Sequence, residues 1–386
     1  MRRSQEVKLY IGCARERVIS EDAKCYTFYE NGRSGVETMM KTWQAVKRLL
    51  PMAAVFLFLA GCGREDLSAL RPQGPAAESS FGLMKLSITI MIVVLLIVFS
   101  IAAFVMVRYR RRPGQNEIPE QVEGNFKLEV IWTAIPLILI VVLAVPTVKE
   151  VFAASNDHWN DKNAVKVKVT GHQYWWEFEY PDYGIVTGQE LVIPTDKDIA
   201  FELKTADVLH SFWVPSLAGK IDTNPDGTIN RFSFSAPNEG VYRGKCAELC
   251  GPSHGFMEFK VKAVSEEDFN GWVEAMKAPA VLIEDPALAE TFKTQCLSCH
   301  AVGDQGGIAG PNLTGIGSRE SVAGILLNDD TRQDGAPVEE NLKTWLHDTQ
   351  GTKPGNRMPD PKKDLGLSDE EIDGIAEYLA NYKLDY

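Results

Sequence analysis

The chain has 386 residues, a formal net charge of −12 and 45% hydrophobic residues. This length is sufficient for two globular domains together with membrane segments. The acidic balance argues against nucleic acid as a partner. Four of the seven cysteines lie in two short motifs and the other three lie near the N-terminus, which excludes a disulfide framework in the downstream chain.

Residues 1–61 are predicted to be a leader and a lipoprotein-type signal peptide. Basic residues precede the apolar run 49–60, which leads into Cys62. The ending Leu-Ala-Gly-Cys resembles a bacterial lipobox, in which the cysteine is acylated and becomes the mature N-terminus. An uncleaved helix is the alternative. The first 38 residues have no signal character, so Met39 or Met40 is a more sensible start.

Two apolar runs, at about 86–107 and 130–148, each approach the ~20 residues that span a hydrocarbon core. They predict a transmembrane hairpin within residues 62–155. The arginine-rich segment 108–112 between them marks the cytoplasmic side. The chain is therefore predicted to be a multi-pass protein of a bacterial cytoplasmic membrane, with everything after about residue 151 outside.

Residues 156–276 are predicted to form an all-β domain. Short runs with alternating character, such as Val165–Val169 and Arg231–Ser235, are separated by Gly, Pro, Asp and Asn. This pattern favours a small antiparallel sandwich.

A copper loop is predicted at Cys246-Ala-Glu-Leu-Cys250-Gly-Pro-Ser-His254-Gly-Phe-Met257. Thiolate and thioether sulfur are soft donors that favour copper, and two thiolates four residues apart can bridge two metals. Zinc would accept the Cys and His residues but has no use for a methionine. Two bridged coppers need another histidine from an upstream strand, and the candidates are His158, His172 and His210.

Residues 277–285 are predicted to be a linker, and residues 286–386 a second domain. Asp285 followed by Pro286 is a helix start. Ser368-Asp-Glu-Glu371 is a capping box before an apolar helical stripe. The segment 284–386 holds 19 acidic and 9 basic residues, so it should attract a basic protein donor or simply favour solubility.

The second domain contains Cys296-Leu-Ser-Cys299-His300, the signature for covalent attachment of haem c with the histidine as an axial iron ligand. Met358 is the only methionine downstream of this motif and is the favoured ligand on the opposite side. His347 is the alternative, but its surroundings are typical of a helix.

The segment Val208–Leu217 around His210, together with the copper loop, closely resembles subunit II of haem-copper cytochrome c oxidases with their binuclear CuA centre. The resemblance covers residues 86–276 and implies a cupredoxin-like sandwich. It implies that the copper ligands are His210, Cys246, Cys250, His254, Met257 and the backbone carbonyl of Glu248.

The resemblance also implies roles for other residues. The Glu248 carboxylate would bind a magnesium ion shared with subunit I, and Glu129 would stand at the entrance of a proton pathway. A solvated glutamate and an interfacial charge are the respective alternatives. Tyr174, Trp175 and Trp176 match the aromatic cluster through which electrons reach CuA, but Tyr174 stands where relatives have a tryptophan.

Residues 286–386 resemble an all-α class I cytochrome c. In that family Pro311 accepts a hydrogen bond from His300, and Asn356–Pro359 is the axial methionine loop.

The whole chain is membrane-anchored and multidomain, and it resembles subunit II of caa-type cytochrome c oxidases. This implies electron transfer from an outer donor through haem c and CuA to subunit I, coupled to proton translocation. The implied partners are the other oxidase subunits and a cytochrome c or cytochrome bc-type donor. The alternatives are a CuA-containing subunit of a nitric oxide reductase and a free membrane-anchored electron carrier.

Overall fold

The computed structural model describes residues 65–386 except 112, 115–117, 119, 122, 282 and 329–334. The predicted signal segment and Cys62 lie outside the described residues. The described residues belong to one compact unit, Gly63–Tyr386. It contains a helical hairpin, a β-sandwich and a C-terminal helical domain.

The hairpin consists of α1 (Pro75–Arg108) and α2 (Phe126–Ala154). The mean hydropathy of their most apolar windows is 3.3 and 2.6, and both helices are long enough to cross a membrane. Both extend beyond the apolar runs found in the sequence. The Ser79 hydroxyl donates to the Glu150 carboxylate at 2.7 Å, which joins the start of α1 to the end of α2.

The sandwich end of the hairpin is fixed by hydrogen bonds to backbone carbonyls. The amide of Ala77 donates to Leu217 O at 3.1 Å, and the Ser233 hydroxyl donates to Asn156 O at 3.1 Å. Both helix ends next to the sandwich are therefore attached to it, and Arg108 lies at the opposite end of the hairpin.

The sandwich is built from ten strands and one helix: β1 (Val165–His172), β2 (Trp175–Tyr180), β3 (Ile185–Gly188), β4 (Glu190–Pro194), β5 (Ile199–Thr205), β6 (His210–Trp213), β7 (Ile221–Thr223), β8 (Asn230–Phe234), β9 (Gly240–Cys246), β10 (Glu258–Val264) and α3 (Glu266–Lys277). The two sheets have the strand orders β3-β2-β1-β5-β8 and β4-β10-β9-β6-β7.

The pairs β1–β5 and β4–β10 are parallel, so the expectation of an antiparallel sandwich is wrong for these pairs. Alternation of apolar residues reports which face of a strand is buried, and that pattern does not reveal strand direction when the partner is distant in sequence. Between the sheets the rings of Trp176, Phe212 and Phe259 pack together, with Phe212 and Phe259 stacked at 4.7 Å.

The C-terminal domain contains α4 (Pro286–Thr291), α5 (Val338–His347), α6 (Thr349–Thr352), α7 (Asp369–Asn381) and two hairpins of two-residue strands, β11 (Ala301–Val302) with β12 (Gln305–Gly306) and β13 (Ser321–Val322) with β14 (Leu326–Leu327). The helical expectation holds apart from these hairpins. Both predicted helix starts are present: Asp285 caps α4, and Ser368 with Glu371 forms a capping box on α7.

The sandwich and the C-terminal domain meet at a buried polar contact, which we call the interdomain seam. Arg319 Nη1 donates to Gly188 O at 2.9 Å, and Lys260 Nζ donates to Gly324 O at 2.9 Å. Arg319 and Lys260 are both buried. Buried charged groups are tolerated only when they are hydrogen-bonded, so these contacts favour a fixed arrangement of the two domains.

Gly324→Ala should loosen the seam. Gly324 has a φ of +81°, and an added Cβ would lie 2.2 Å from Glu258 O of β10. We expect a loss of about 1–3 kcal/mol in the free energy of unfolding, as for other overpacked contacts. Gly366→Ala is the matched control, because Gly366 has a φ of +74° but no neighbour within 4 Å. Denaturant unfolding of the full chain in detergent measures both, and equal losses would contradict the close contact.

Candidate copper and haem sites

The predicted copper donors come together at one end of the sandwich. Strand β6 begins at His210 and β9 ends at Cys246, so the core places one donor on each of two paired strands. The ligand atoms of His210, Cys246 and Cys250 lie within 4.8 Å of one another, and all three residues are buried.

The remaining predicted donors surround this group at hydrogen-bonding or sulfur-contact distances. The distances are 3.9 Å between Cys246 Sγ and Cys250 Sγ, 3.9 Å between Cys246 Sγ and His210 Nδ1, 3.2 Å between Cys246 Sγ and Glu248 O, 3.7 Å between Cys250 Sγ and His254 Nδ1, and 3.8 Å between Cys250 Sγ and Met257 Sδ.

Of the three candidate histidines, only His210 joins this group. His158 lies 3.3 Å from the Asp198 carboxylate. The buried Nε2 of His172 has no hydrogen-bond partner in the described part of the chain. Its ring instead stacks on Trp175 with a centroid distance of 4.2 Å, and burial lowers the pKa of His172 to about 4.

Asp207 orients His210 and was missed in the sequence. Its carboxylate lies 2.8 Å from His210 Nε2, so Nδ1 faces Cys246. Burial lowers the pKa of His210, but the hydrogen bonds to Cys246 and Asp207 outweigh it and raise the pKa. A histidine whose second nitrogen is held by a carboxylate is the usual arrangement around a metal. The only signal in the sequence for this role is the three-residue spacing between Asp207 and His210.

Cys246 and Cys250 differ in how readily they lose a proton. The hydrogen bond from Cys250, followed by the one from His210, holds the pKa of Cys246 well below its usual range, whereas the interaction with Cys246 raises the pKa of Cys250. A thiolate is therefore favoured at Cys246, and thiolate is the form that binds metals.

A cavity of about 490 Å³ is lined mainly by the C-terminal domain, and its volume is within the range of protein ligand sites. Cys296, Cys299, His300 and Met358 all line it. His347 is not among the lining residues; its Nε2 lies 2.9 Å from the Asp373 carboxylate.

His300 is held in one orientation. Its Nδ1 lies 2.7 Å from the carbonyl of Pro311, so Nδ1 carries the proton and Nε2 is available as a ligand atom. An added Cβ on Gly310 would lie 2.7 Å from the ring, so only glycine allows the backbone this close. Burial lowers the pKa of His300 and favours the neutral ring.

One wall of the cavity comes from the sandwich, where His172, Gln173, Tyr174 and Trp175 line it. Trp176 points the other way and is fully buried in the sandwich core. The aromatic segment thus divides between the haem cavity and the core beneath the copper loop.

Gln173 connects the two sites and was also missed in the sequence. Its Nε2 donates to Cys250 O at 2.7 Å, and its Oε1 accepts from Arg357 Nη2 at 3.2 Å. A second link runs from the Ser253 hydroxyl to Pro354 O at 2.5 Å. The copper loop and the loop that carries Met358 are therefore in direct contact.

The two acidic residues with predicted roles, Glu248 and Glu129, do not line the haem cavity. Glu248 is half-buried in the copper loop. Glu129 is exposed in the first turn of α2, at the end of the hairpin farthest from the sandwich.

Three families match the chain in order: cytochrome c oxidase subunit II, transmembrane domain, at residues 71–149; cytochrome c oxidase subunit II, periplasmic domain, at 185–264; and cytochrome c at 289–383. The chain is 44% identical to cytochrome c oxidase subunit 2 of Alkalihalophilus pseudofirmus, over 89% of this chain and 99% of that protein. The chain belongs to the cytochrome c oxidase subunit 2 family.

A second relative, cytochrome c oxidase subunit 2 of Bacillus sp. (strain PS3), is 45% identical over 85% of this chain and 95% of its own length. Among solved structures, the periplasmic domain of subunit II of cytochrome oxidase (CoxB) of Bradyrhizobium japonicum is 33% identical and covers 29% of this chain and 93% of its own, with a TM-score of 0.28.

Membership in this family makes the chain the electron-input subunit of an oxidase complex, anchored in a membrane. The nitric oxide reductase and free-carrier alternatives are not favoured. The matched domains imply CuA copper and haem c. The residues fit both groups. The buried donors are thiolate, thioether and imidazole, and His300, whose ring packs against Gly310, lines a cavity of a size that holds a ligand.

Asp207→Asn should weaken copper binding by about 10- to 100-fold, as for other carboxylates that orient metal-bound histidines. An amide cannot fully replace the carboxylate at His210 Nε2. Competition titration of the full chain with a copper chelator measures the affinity. Asp198→Asn removes the carboxylate next to His158 and should leave the affinity unchanged. Wild-type affinity in Asp207→Asn would contradict the orienting role.

Proposed function

We propose that this subunit passes electrons from an outer donor through haem c and CuA to subunit I, coupled to proton translocation by the complex. The observation that carries this proposal is the direct contact between the copper loop and the loop bearing Met358. Copper and haem iron, when bound, each supply a one-electron couple.

The proposed copper ligands are six. Cys246 and Cys250 would supply two thiolates to the copper, and four further donors would complete the site: His210, His254, Met257 and the carbonyl of Glu248. Support comes from the mutual distances of the donors. Because the donors belong to a buried strand pair and a short loop, they are held in position when the charge on the site changes.

The proposed haem residues are Cys296 and Cys299, which would attach the haem covalently, and His300 and Met358, which would hold the iron. Support comes from their common cavity and from the hydrogen bond that fixes His300. Ligation by a thioether raises the haem potential relative to that of a second histidine. The His347 alternative is not supported, because its ring faces Asp373.

Cys250→Ser and Met358→Leu test the two sites in one experiment. In Cys250→Ser we expect the mixed-valence dicopper signal in electron paramagnetic resonance to be lost, since a bridging thiolate is gone, while the low-spin haem spectrum stays. In Met358→Leu we expect the haem to lose its low-spin spectrum and the copper signal to stay. Both are measured on the purified oxidase complex.

Each variant is the control for the other, and His347→Leu should change neither spectrum. A dicopper signal that persists in Cys250→Ser would refute the bridging role. An unchanged low-spin haem in Met358→Leu would refute the axial assignment.

The aromatic segment is proposed as the electron path into the copper site. Trp175 and Tyr174 line the haem cavity, and the ring of Trp176 packs against His210 with a centroid distance of 5.9 Å. Tyr174 replaces the family's tryptophan at a position enclosed by both domains. Slower haem-to-copper transfer in Trp175→Leu, measured by flash photolysis, would support this path, and an unchanged rate would remove it.

Two carboxylates have proposed roles against subunit I. Glu248 would hold a shared magnesium ion, supported by its position next to the copper donors. Glu129 would stand at a proton entrance, supported by its place at the arginine-rich end of the hairpin. Metal analysis of a Glu248→Gln complex and proton uptake by a Glu129→Gln complex would test these roles, and wild-type values would refute them.

The sandwich and cytochrome c domain are proposed to lie on the outer side of a bacterial cytoplasmic membrane. Arg108, at the end of α1, lies at the opposite end of the hairpin from the sandwich, as the positive-inside rule requires. Cys62 would be the lipidated mature N-terminus, and the domains would follow the ranges 62–155, 156–276, 277–285 and 286–386. Protease added to the outside of oriented vesicles should cleave the sandwich. A sandwich protected from that protease would refute this orientation.

The donor is proposed to be a cytochrome c or cytochrome bc-type protein with a basic surface. The acidic excess of residues 284–386 supports this. Electron uptake from a basic cytochrome c should slow with added salt. A salt-independent rate would argue for a different surface.

A further inference from the structure

Lys353 is a buried cation on the wall of the haem cavity. Its side chain is only 3% exposed, and it lies five residues before Met358. Lysine is almost never fully buried unless it is paired, because moving an ammonium group out of water costs several kcal/mol. The position therefore requires a compensating partner.

The protein supplies only part of that compensation. Lys353 Nζ donates to Ala323 O at 2.8 Å, and an ammonium group has three donors. Within the described part of the chain, no ion pair to Lys353 is present. Burial lowers the pKa of Lys353 to about 7. Glu258 and Cys250 raise this pKa, but by less than burial lowers it, and Lys260 lowers it further.

Glu258 is not free to act as the partner. Its carboxylate already lies 2.5 Å from Arg243, 2.7 Å from Lys245 and 3.6 Å from Lys260. The region around Lys353 thus holds an excess of positive charge.

The other cations of the cavity wall are satisfied or exposed. Arg319 donates to the carbonyls of Gly188, Asn312 and Thr314. Arg357 is 70% exposed and is bonded to Gln173. Among the described residues of the cavity wall, Lys353 is therefore the buried cation with N–H donors that have no partner. The rest of the cavity wall is mostly apolar.

A haem carries two propionate carboxylates, which are the anions that this cavity would receive. We propose that Lys353 is a positioning residue that pairs with a propionate of the haem and keeps that carboxylate ionised at the interdomain seam. This rests on the proposed haem site. A fixed ammonium beside the haem disfavours the extra positive charge of the oxidised state, so Lys353 raises the reduction potential.

Spectroelectrochemical titration of the haem in the purified oxidase complex, between pH 6 and pH 8, tests the proposal without measuring oxidase activity. In Lys353→Met we expect the potential to fall by at least the equivalent of a tenfold change in the reduced-to-oxidised ratio, about 59 mV for one electron. An unpaired buried propionate has a raised pKa, so the potential of this variant should also fall with rising pH.

The wild type and Lys353→Arg should keep a higher potential with little pH dependence. In the wild type the paired propionate raises the pKa of Lys353 again, so that a cation remains beside the haem in both proteins across this pH range. Lys260→Met is the matched control: Lys260 is a buried lysine of the same seam that donates to Gly324 O but does not line the cavity. Its potential should shift much less than that of Lys353→Met.

If haem-loaded Lys353→Met has the potential and pH profile of the wild type, the role of Lys353 is overturned and the proposed haem site still stands. If Lys353→Met does not fold, a wild-type potential that falls steeply between pH 6 and pH 8 overturns it, since a paired propionate does not titrate there. Absence of attached haem in the wild type would overturn the haem site as well.

Discussion

Hydrogen bonds between the sandwich and the C-terminal domain hold the predicted copper and haem sites in position relative to each other. Gln173 of the sandwich holds the backbone of the copper loop and accepts from the loop that carries Met358, and Ser253 adds a second link. Each buried donor or acceptor left without a partner costs about 1–3 kcal/mol. Separation of the domains would break the bonds of Arg357 to Gln173 and of Ser253 to Pro354. It would also open the haem cavity, since His172 and Trp175 form part of its wall.

The site residues that could be predicted from the sequence are close together along the chain. The copper loop brings five donors within twelve residues, and the haem motif brings three within five. Local chain geometry then ensures that they meet. His210 was one of three candidates until the resemblance to the family singled it out, because its approach to Cys246 depends on the pairing of β6 with β9.

The residues that were missed act over long separations. Gln173 and Arg357 are 184 residues apart, and Lys260 reaches Gly324 across 64 residues. Neither residue type nor spacing predicts such contacts, because a glutamine or lysine that makes them has the same sequence pattern as one that is exposed to solvent. The parallel pairs β1–β5 and β4–β10 were missed for a similar reason: burial periodicity is local, whereas strand direction is decided by the chain path between the strands.

The linker between α3 and α4 is only the segment 278–285, and it ties the haem domain to the copper domain within one chain. A short tether keeps two sites at an effective concentration of the order of millimolar even before specific docking. The internal electron step is therefore first-order. A low concentration of the complex in the membrane, or of a mobile carrier, would slow only the arrival of electrons at the haem domain. Each copper site keeps an electron donor within its own chain.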